Sequence, residues 1–381
     1  MLHTALTDKL GIRVPIISAP MTPQAGGALA VAVSHAGAFG MLGIDEDETI
    51  DDISAQLDII RSAREAQFGM GLVAWVVERR PELIDLALAA RPRMVSFSFG
   101  DPKAYIGRFR EAGILVASQV QNRKSAIVAL EAGVDILVAQ GTEAGGHTGN
   151  VGTLPLLQIL LEMTDKPVVA AGGIASGRGL AAVLAAGAAA AWIGTPFLLA
   201  KESRTPQGAR DAVIDSDETH TIYTSVYDKL QGKGWTSEIR GRAINNAFAE
   251  RWTGREDELM QTPAAIAQFE AAKKARDYAT VNIYAGQSIG MLDRFCAAAD
   301  AVERYEREAI ERIDACASLL GVPTRVTDAD VDDASSDRDE FPAQPAGGDA
   351  ACWLHLTCPD CGAIIDRPDA HGAGCVHTVA L

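Results

Sequence analysis

Eight short apolar runs recur through the first 200 residues, each followed by a stretch of helical character. They are VPIISA (14–19), AFGML (38–42), FGMGLVA (68–74), RMVSFSF (93–99), ILVASQ (114–119), DILVAQ (135–140), PVVAAG (167–172) and AAWIG (190–194). Intervening segments such as TIDDISAQLDIIRSAREA (49–66) and NRKSAIVALEAG (122–133) carry apolar residues at helical spacing, and glycine often marks their ends. Runs that are apolar nearly throughout suit parallel strands covered on both faces. An alternation repeating about every 25 residues predicts an α/β fold, a (β/α)8 (TIM) barrel. A doubly wound open sheet is the competing topology, and periodicity alone does not separate the two.

The barrel is expected over residues 1–200, followed by a helical extension over 201–325 packed on it. The extension is marked by AIAQFEAAKKARDYA and AAADAVERYEREAIERIDACASLL. Residues 326–350 are dense in aspartate and read as an acidic disordered linker, and 351–381 form a short Cys/His-rich tail. The alanine-rich segment 179–200 has the length of a membrane span, but Gly187, Gly194 and Pro196 break it into a buried helix, a turn and a strand. The start of the chain lacks the pattern of a secretion signal, so a cytoplasmic protein is expected. A net charge of −16 argues against binding nucleic acid or an anionic membrane. The pattern carries no sign of oligomeric state.

In such barrels, ligands sit on the loops after the strands. Three of these loops are unusually bare: GTEAGGHTGNVG after the sixth predicted strand, GGIASGRG after the seventh and GTPF after the eighth. Glycine lets backbone amides approach a ligand, and a helix N-terminus behind such a loop favours an anion. Gly172, Gly173, Gly194 and Thr195 are the expected phosphate-binding positions. Neither a G-x-G-x-x-G order nor a following G-K-[ST] is present, so Rossmann and P-loop sites are unsupported. His147 lies among the glycines of the sixth loop, where imidazole suits general acid–base work. Glu143 either orients that loop or faces water.

The stretches VPIISAPM, AQGTEAGGHTG, VVAAGGIASGRG and WIGTPFL occur in an order and spacing that resembles the nitronate monooxygenase (2-nitropropane dioxygenase-like) family of FMN barrels. RGRAINNAFAERW and YAGQSIGML resemble the later part of that family, so the likeness covers about residues 5–320. The resemblance implies FMN across the barrel mouth, with Ala19, Pro20 and Met21 against the ring and Gln140 and Gly145 approaching it. It implies phosphate contacts at Gly172, Gly173, Gly194 and Thr195, and a catalytic role for His147. The implied reaction is oxidative denitrification of nitroalkanes or nitronates, with O2 as the second substrate. Such barrels often carry an asparagine after the third strand; Gly71 stands there, with Trp75 nearby.

Related FMN reductases share the glycine–histidine turn. An NAD(P)H:quinone reductase or an enoyl-thioester reductase is therefore the alternative activity. A nucleotide dehydrogenase barrel similar to IMP dehydrogenase needs a cysteine on a barrel loop, and no cysteine precedes Cys296. A further alternative is a non-catalytic flavin- or phosphate-binding protein whose working part is the tail. There, CPDCG supplies Cys358 and Cys361 at zinc-knuckle spacing. Cys375 with His371 would complete a structural zinc site; His377, or Cys352 with His355, are other second pairs.

Overall fold

The computed structural model describes residues 2–319, apart from 45, 65 and 234. The acidic stretch 326–350 and the Cys/His tail, with Cys358, Cys361, His371 and Cys375, lie outside the described residues. Strands β1 (Ile16–Ser18), β2 (Gly40–Gly43), β3 (Phe68–Val73), β4 (Met94–Ser98), β5 (Leu115–Val120) and β6 (Ile136–Gln140) come first in the chain. After a short β7 (Gly146–Thr148) follow β8 (Val168–Ala171) and β9 (Ala190–Ile193). All but β7 form one sheet of eight strands in the order β1-β9-β8-β6-β5-β4-β3-β2, parallel throughout. The sheet closes on itself: Phe39 N–H donates to Ile16 O and Ser18 N–H donates to Phe39 O, both at 2.9 Å. Closure decides for the (β/α)8 barrel over the open sheet.

The period of two along each strand divides the core in two. Ile17, Met41, Met94, Ala117, Ile136, Val138, Val169, Ala190 and Trp192 fill the barrel interior. Ile16, Leu42, Val95, Val116, Leu137, Val168 and Ala191 pack outward against the helices. Leu6 and Leu10, from the helix Ala5–Leu10, join the interior cluster. That helix lies at the N-terminal ends of the strands, where Arg93 donates to Lys9 O and Thr4 to Ala189 O.

Residues 179–200 fold as the composition predicts, into the end of helix Gly177–Ala185, strand β9 and the 3-10 turn Thr195–Leu199. No helix among the described residues is long and apolar enough to cross a membrane. The long helix Ala298–Leu319 packs on helices Gly177–Ala185 and Gly27–His35. A Cβ at Gly177 would stand 2.3 Å from Glu308 Cβ, so glycine is what permits this contact. Arg13, just before β1, pairs with Glu306 of the same long helix.

The stretch expected to be a helical extension also contributes strands β10 (Thr221–Thr224) and β11 (Arg240–Ile244). TIYT and RGRAI are too short to compete with the long helical patterns beside them, and their partner is distant. β11 pairs antiparallel with β10 and with β7, which raises a small three-stranded sheet beside the barrel mouth.

Candidate active site

The inward phase of the barrel strands runs on into the mouth. Continuing it from Ile17, Val138 and Trp192 leads to Ala19, Gln140 and Gly194; on β3 the Cβ direction of Gly71 meets Pro20 at the mouth. These positions are neighbours. Ala19 N–H donates to Ile193 O at 2.7 Å. A Cβ at Gly194 would lie 3.4 Å from Ala19 Cβ and 3.6 Å from Met21 Sδ. Gln140 is 7% exposed and accepts a 2.9 Å hydrogen bond from Gln121 Nε2, which orients its amide at the ends of β5 and β6. A Cβ at Gly71 would stand 2.4 Å from Pro20 Cβ and Cγ, so a longer residue there needs Pro20 to move.

The glycine loops serve the protein's own packing as well as an open surface. At Gly145 a Cβ would meet the Ala285 backbone at 2.7 Å, and at Gly172 it would meet Thr153 Oγ1 at 2.8 Å. Gly172 and Gly173 take φ angles of 111° and 71°, in the region that favours glycine. Gly173 has only the Glu143 side chain near, at 3.4 Å. Behind it, helix Gly177–Ala185 begins with Ser176 as its N-cap. Thr195 Oγ1 accepts from Gly286 N–H at 2.9 Å, which ties the end of β9 to the segment carrying Tyr284. Bare backbone beside a helix start, with Ala19, Met21 and Gln140 adjoining, fits the phosphate end and ring of a flavin nucleotide.

Glu143 orients the loop. Its carboxylate accepts Thr153 N–H at 2.9 and 3.1 Å and Thr153 Oγ1 at 2.9 Å. It thereby caps helix Thr153–Leu161, whose N-cap Gly152 has no side chain to do so. Arg242 fastens the same loop from β11, donating from Nε to Thr142 O at 2.6 Å.

His147 sits on β7 opposite Gly241 of β11, within the small sheet rather than in a free turn. Its Nε2 lies 2.7 Å from Oδ1 of Asp228, and the two side chains are 12% and 5% exposed. The partner oxygen Oδ2 of Asp228 is buried without a hydrogen bond among the described residues. Trp235 stacks on the imidazole with centroids 3.9 Å apart and planes at 18°. Phe99 and Trp75 stand edge-on to Trp235 at 4.7 and 5.5 Å, and Tyr284 lies 5.2 Å from His147. Each such aromatic pair contributes about 0.5–1.5 kcal/mol beyond area burial. Burial of the Tyr284 phenol, with the Asp228 charge second, pushes its pKa well above the usual range. Phe99 holds a left-handed φ of 57°, a conformation that costs a bulky residue about 1–3 kcal/mol.

The sequence marks the glycines, Gln140 and His147 as candidates, whereas Asp228, Trp235, Tyr284 and Phe99 join them only through the fold. Asp228 lies 81 positions from His147, in a YDKL stretch that reads as ordinary amphipathic helix. Trp235, in GKGW, is the one with a signal: a large aromatic set among glycines and lysines has no local packing reason. Among the described residues no group of three or more His, Cys, Asp or Glu gathers as a metal site.

The family profile for nitronate monooxygenase matches residues 77–306. A Rhodococcus jostii protein named (3aS,4S,5R,7aS)-5-hydroxy-7a-methyl-1-oxo-octahydro-1H-indene-4-carboxyl-CoA dehydrogenase is similar at 29% identity over 355 residues, or 84% of this chain and 99% of its own. Among solved structures, FabK from Thermotoga maritima superposes with a TM-score of 0.73 at 27% identity, covering 84% of this chain and 100% of its own. A nitroalkane oxidase from Streptomyces ansochromogenes does so at 0.68 with 30% identity, covering 82% and 100%.

Proposed function

The chain belongs to the nitronate monooxygenase family and is a flavin-dependent oxidoreductase, and from that premise we propose that it oxidises nitroalkanes and their nitronates with FMN and O2. The observation that carries this reading is the buried His147–Asp228 pair at the mouth. A carboxylate on Nε2 accepts a hydrogen bond from its N–H and fixes the tautomer, so Nδ1 is the nitrogen left with a free electron pair. Nδ1 takes the proton from the carbon bearing the nitro group. The C–H electron pair stays with the substrate, which becomes the nitronate, and Asp228 stabilises the imidazolium formed.

The residues that would hold FMN are Ala19, Pro20 and Met21, with Gly71, Gln140 and Gly145 around the ring. Gly172, Gly173, Gly194 and Thr195 would take its phosphate. When bound, the flavin would supply the redox chemistry between substrate and O2. Trp235 and Phe99 pack beside His147 and shield it from water, which strengthens its interaction with Asp228.

A second reading has its own support. The Rhodococcus relative that aligns over 99% of its own length carries the name of a CoA-thioester dehydrogenase. A proton α to a thioester carbonyl could be taken by the same Nδ1. Anaerobic mixing of the flavin-loaded protein with ethyl nitronate, NADH, NADPH or an acyl-CoA, followed at the flavin absorption band, separates these activities. Bleaching by the nitronate is the expected result. Bleaching by NADH or NADPH alone would instead assign a reductase, and bleaching by the acyl-CoA alone would assign the thioester activity.

A further inference from the structure

Trp235 is tied to His147 more closely than any other ring in the site, yet the proton-transfer step makes no use of it. Its indole nitrogen is buried and has no hydrogen-bond partner among the described residues. A buried donor left unpaired opposes folding, so its retention points to a partner that arrives with a ligand. Its neighbours are shaped at a cost. Phe99 takes a left-handed φ of 57° and sets its ring edge-on to Trp235. Strain of this kind, held by the surrounding fold, gathers where a side chain must be aimed. Trp75 completes a corner, at 90° to Trp235. All three rings are only half-buried, so each keeps surface for a ligand.

We propose that Trp235 is the specificity-determining residue of this site, its indole N–H holding an oxygen of the substrate's activating group. With Trp75 and Phe99 it selects a flat or ring-shaped hydrocarbon body over a short alkyl chain. This rests on the reading that the substrate is a carbon acid deprotonated by His147. An aromatic corner gives a planar ring both faces and edges to meet, whereas a methyl or ethyl group covers little of it.

The test uses the FMN-loaded protein, Trp235→Phe and Trp235→Ala, titrated calorimetrically with nitrobenzene and with 2-methyl-2-nitropropane. Neither probe has a hydrogen on the carbon bearing the nitro group, so binding is read without turnover. The wild type is expected to prefer nitrobenzene by about tenfold. Trp235→Phe keeps a ring but loses the N–H, and should weaken both probes about fivefold while preserving the preference. Trp235→Ala should erase the preference, with unchanged FMN content showing that the fold is intact. No preference in the wild type, or one that survives Trp235→Ala, would overturn the proposal. A preference dependent on Trp235, in a protein that turns over neither nitroethane nor phenylnitromethane, would overturn the nitroalkane reading and leave the binding assignment standing.

Discussion

His147 and Asp228 lie 81 positions apart in the chain and meet at 2.7 Å, Nε2 to Oδ1. They are brought together by the small sheet on the barrel mouth, since β7 carries the histidine and the turn after β10 leads into the helix Val226–Leu230 that carries the aspartate. With both side chains nearly buried, the pair is weakly screened by solvent. A hydrogen bond to a charged group in such a place contributes about 1.5–3 kcal/mol.

Asp228→Asn should therefore act through the histidine. Its amide can present a donor to Nε2 and turn the imidazole to the wrong tautomer. Turnover of neutral nitroalkanes is expected to fall about 10²-fold, within the range that general base catalysis supplies. Preformed nitronates, already deprotonated, should lose less than about tenfold. Steady-state kinetics on both substrate forms, beside FMN content, would show this; equal losses would assign Asp228 a purely structural part.

His147→Asn should retain FMN, because the expected cofactor contacts are made by other residues. Its loss on neutral nitroalkanes should exceed its loss on preformed nitronates, by about the same 10²-fold. The histidine would be a positioning group rather than a base if both losses were the same.

Gly71→Asn restores the residue that similar barrels often carry, and it should destabilise this one. The added Cβ would stand 2.4 Å from the Pro20 ring, and overpacking of that kind costs about 1–3 kcal/mol. The remedy lies at the other partner, so Pro20→Gly should recover part of the loss. A double-mutant cycle in urea measures the coupling; strict additivity would show that the two residues do not compete for the space.

The eight barrel strands could be read from the chain because each is a continuous apolar run with its helix close behind, as in Ile136–Gln140. The mouth was legible only where backbone chemistry left a local mark: paired glycines at 172 and 173, or a histidine among glycines at 147. β7 carries no strand signal of its own, since Gly-His-Thr is a strand only through β11, where Gly241 faces His147. Asp228 was hidden for the same reason. A carboxylate in a short amphipathic helix looks like surface until a distant histidine is folded onto it. Phe99 could not be foreseen at all, because a left-handed φ at a bulky residue is imposed by its surroundings rather than by its own preference.

Glu143 offers a test of loop architecture without touching the proposed chemistry. Glu143→Ala removes three hydrogen bonds to Thr153 and leaves helix Thr153–Leu161 uncapped. The expected cost is about 2 kcal/mol by urea unfolding. Glu143→Gln keeps an acceptor and gives up only the charge at the helix start, about 0.5 kcal/mol. Matching stabilities for the two variants would remove the capping role.

The buried tyrosines set the alkaline limit of the fold. Burial pushes Tyr227 and Tyr305 up to about 12, and burial with the Asp228 charge holds Tyr284 well above its ordinary value. In the unfolded chain all three ionise near pH ~10. Above that pH the unfolded state binds fewer protons than the native state, so the slope of unfolding free energy with pH is negative. The stability these phenols contribute is complete below about pH 10 and is lost as pH rises toward about 12. Urea unfolding across that window should show the decline. Asp228→Asn sharpens the test, because neutralising that carboxylate removes one cause of the Tyr284 shift while leaving burial in place. In that variant the phenolate absorbance of Tyr284, identified by difference from Tyr284→Phe, should appear at lower pH than in the wild type. An unchanged midpoint would mean that burial alone holds the phenol, and that Asp228 does not act on Tyr284 across the pocket it shares with His147.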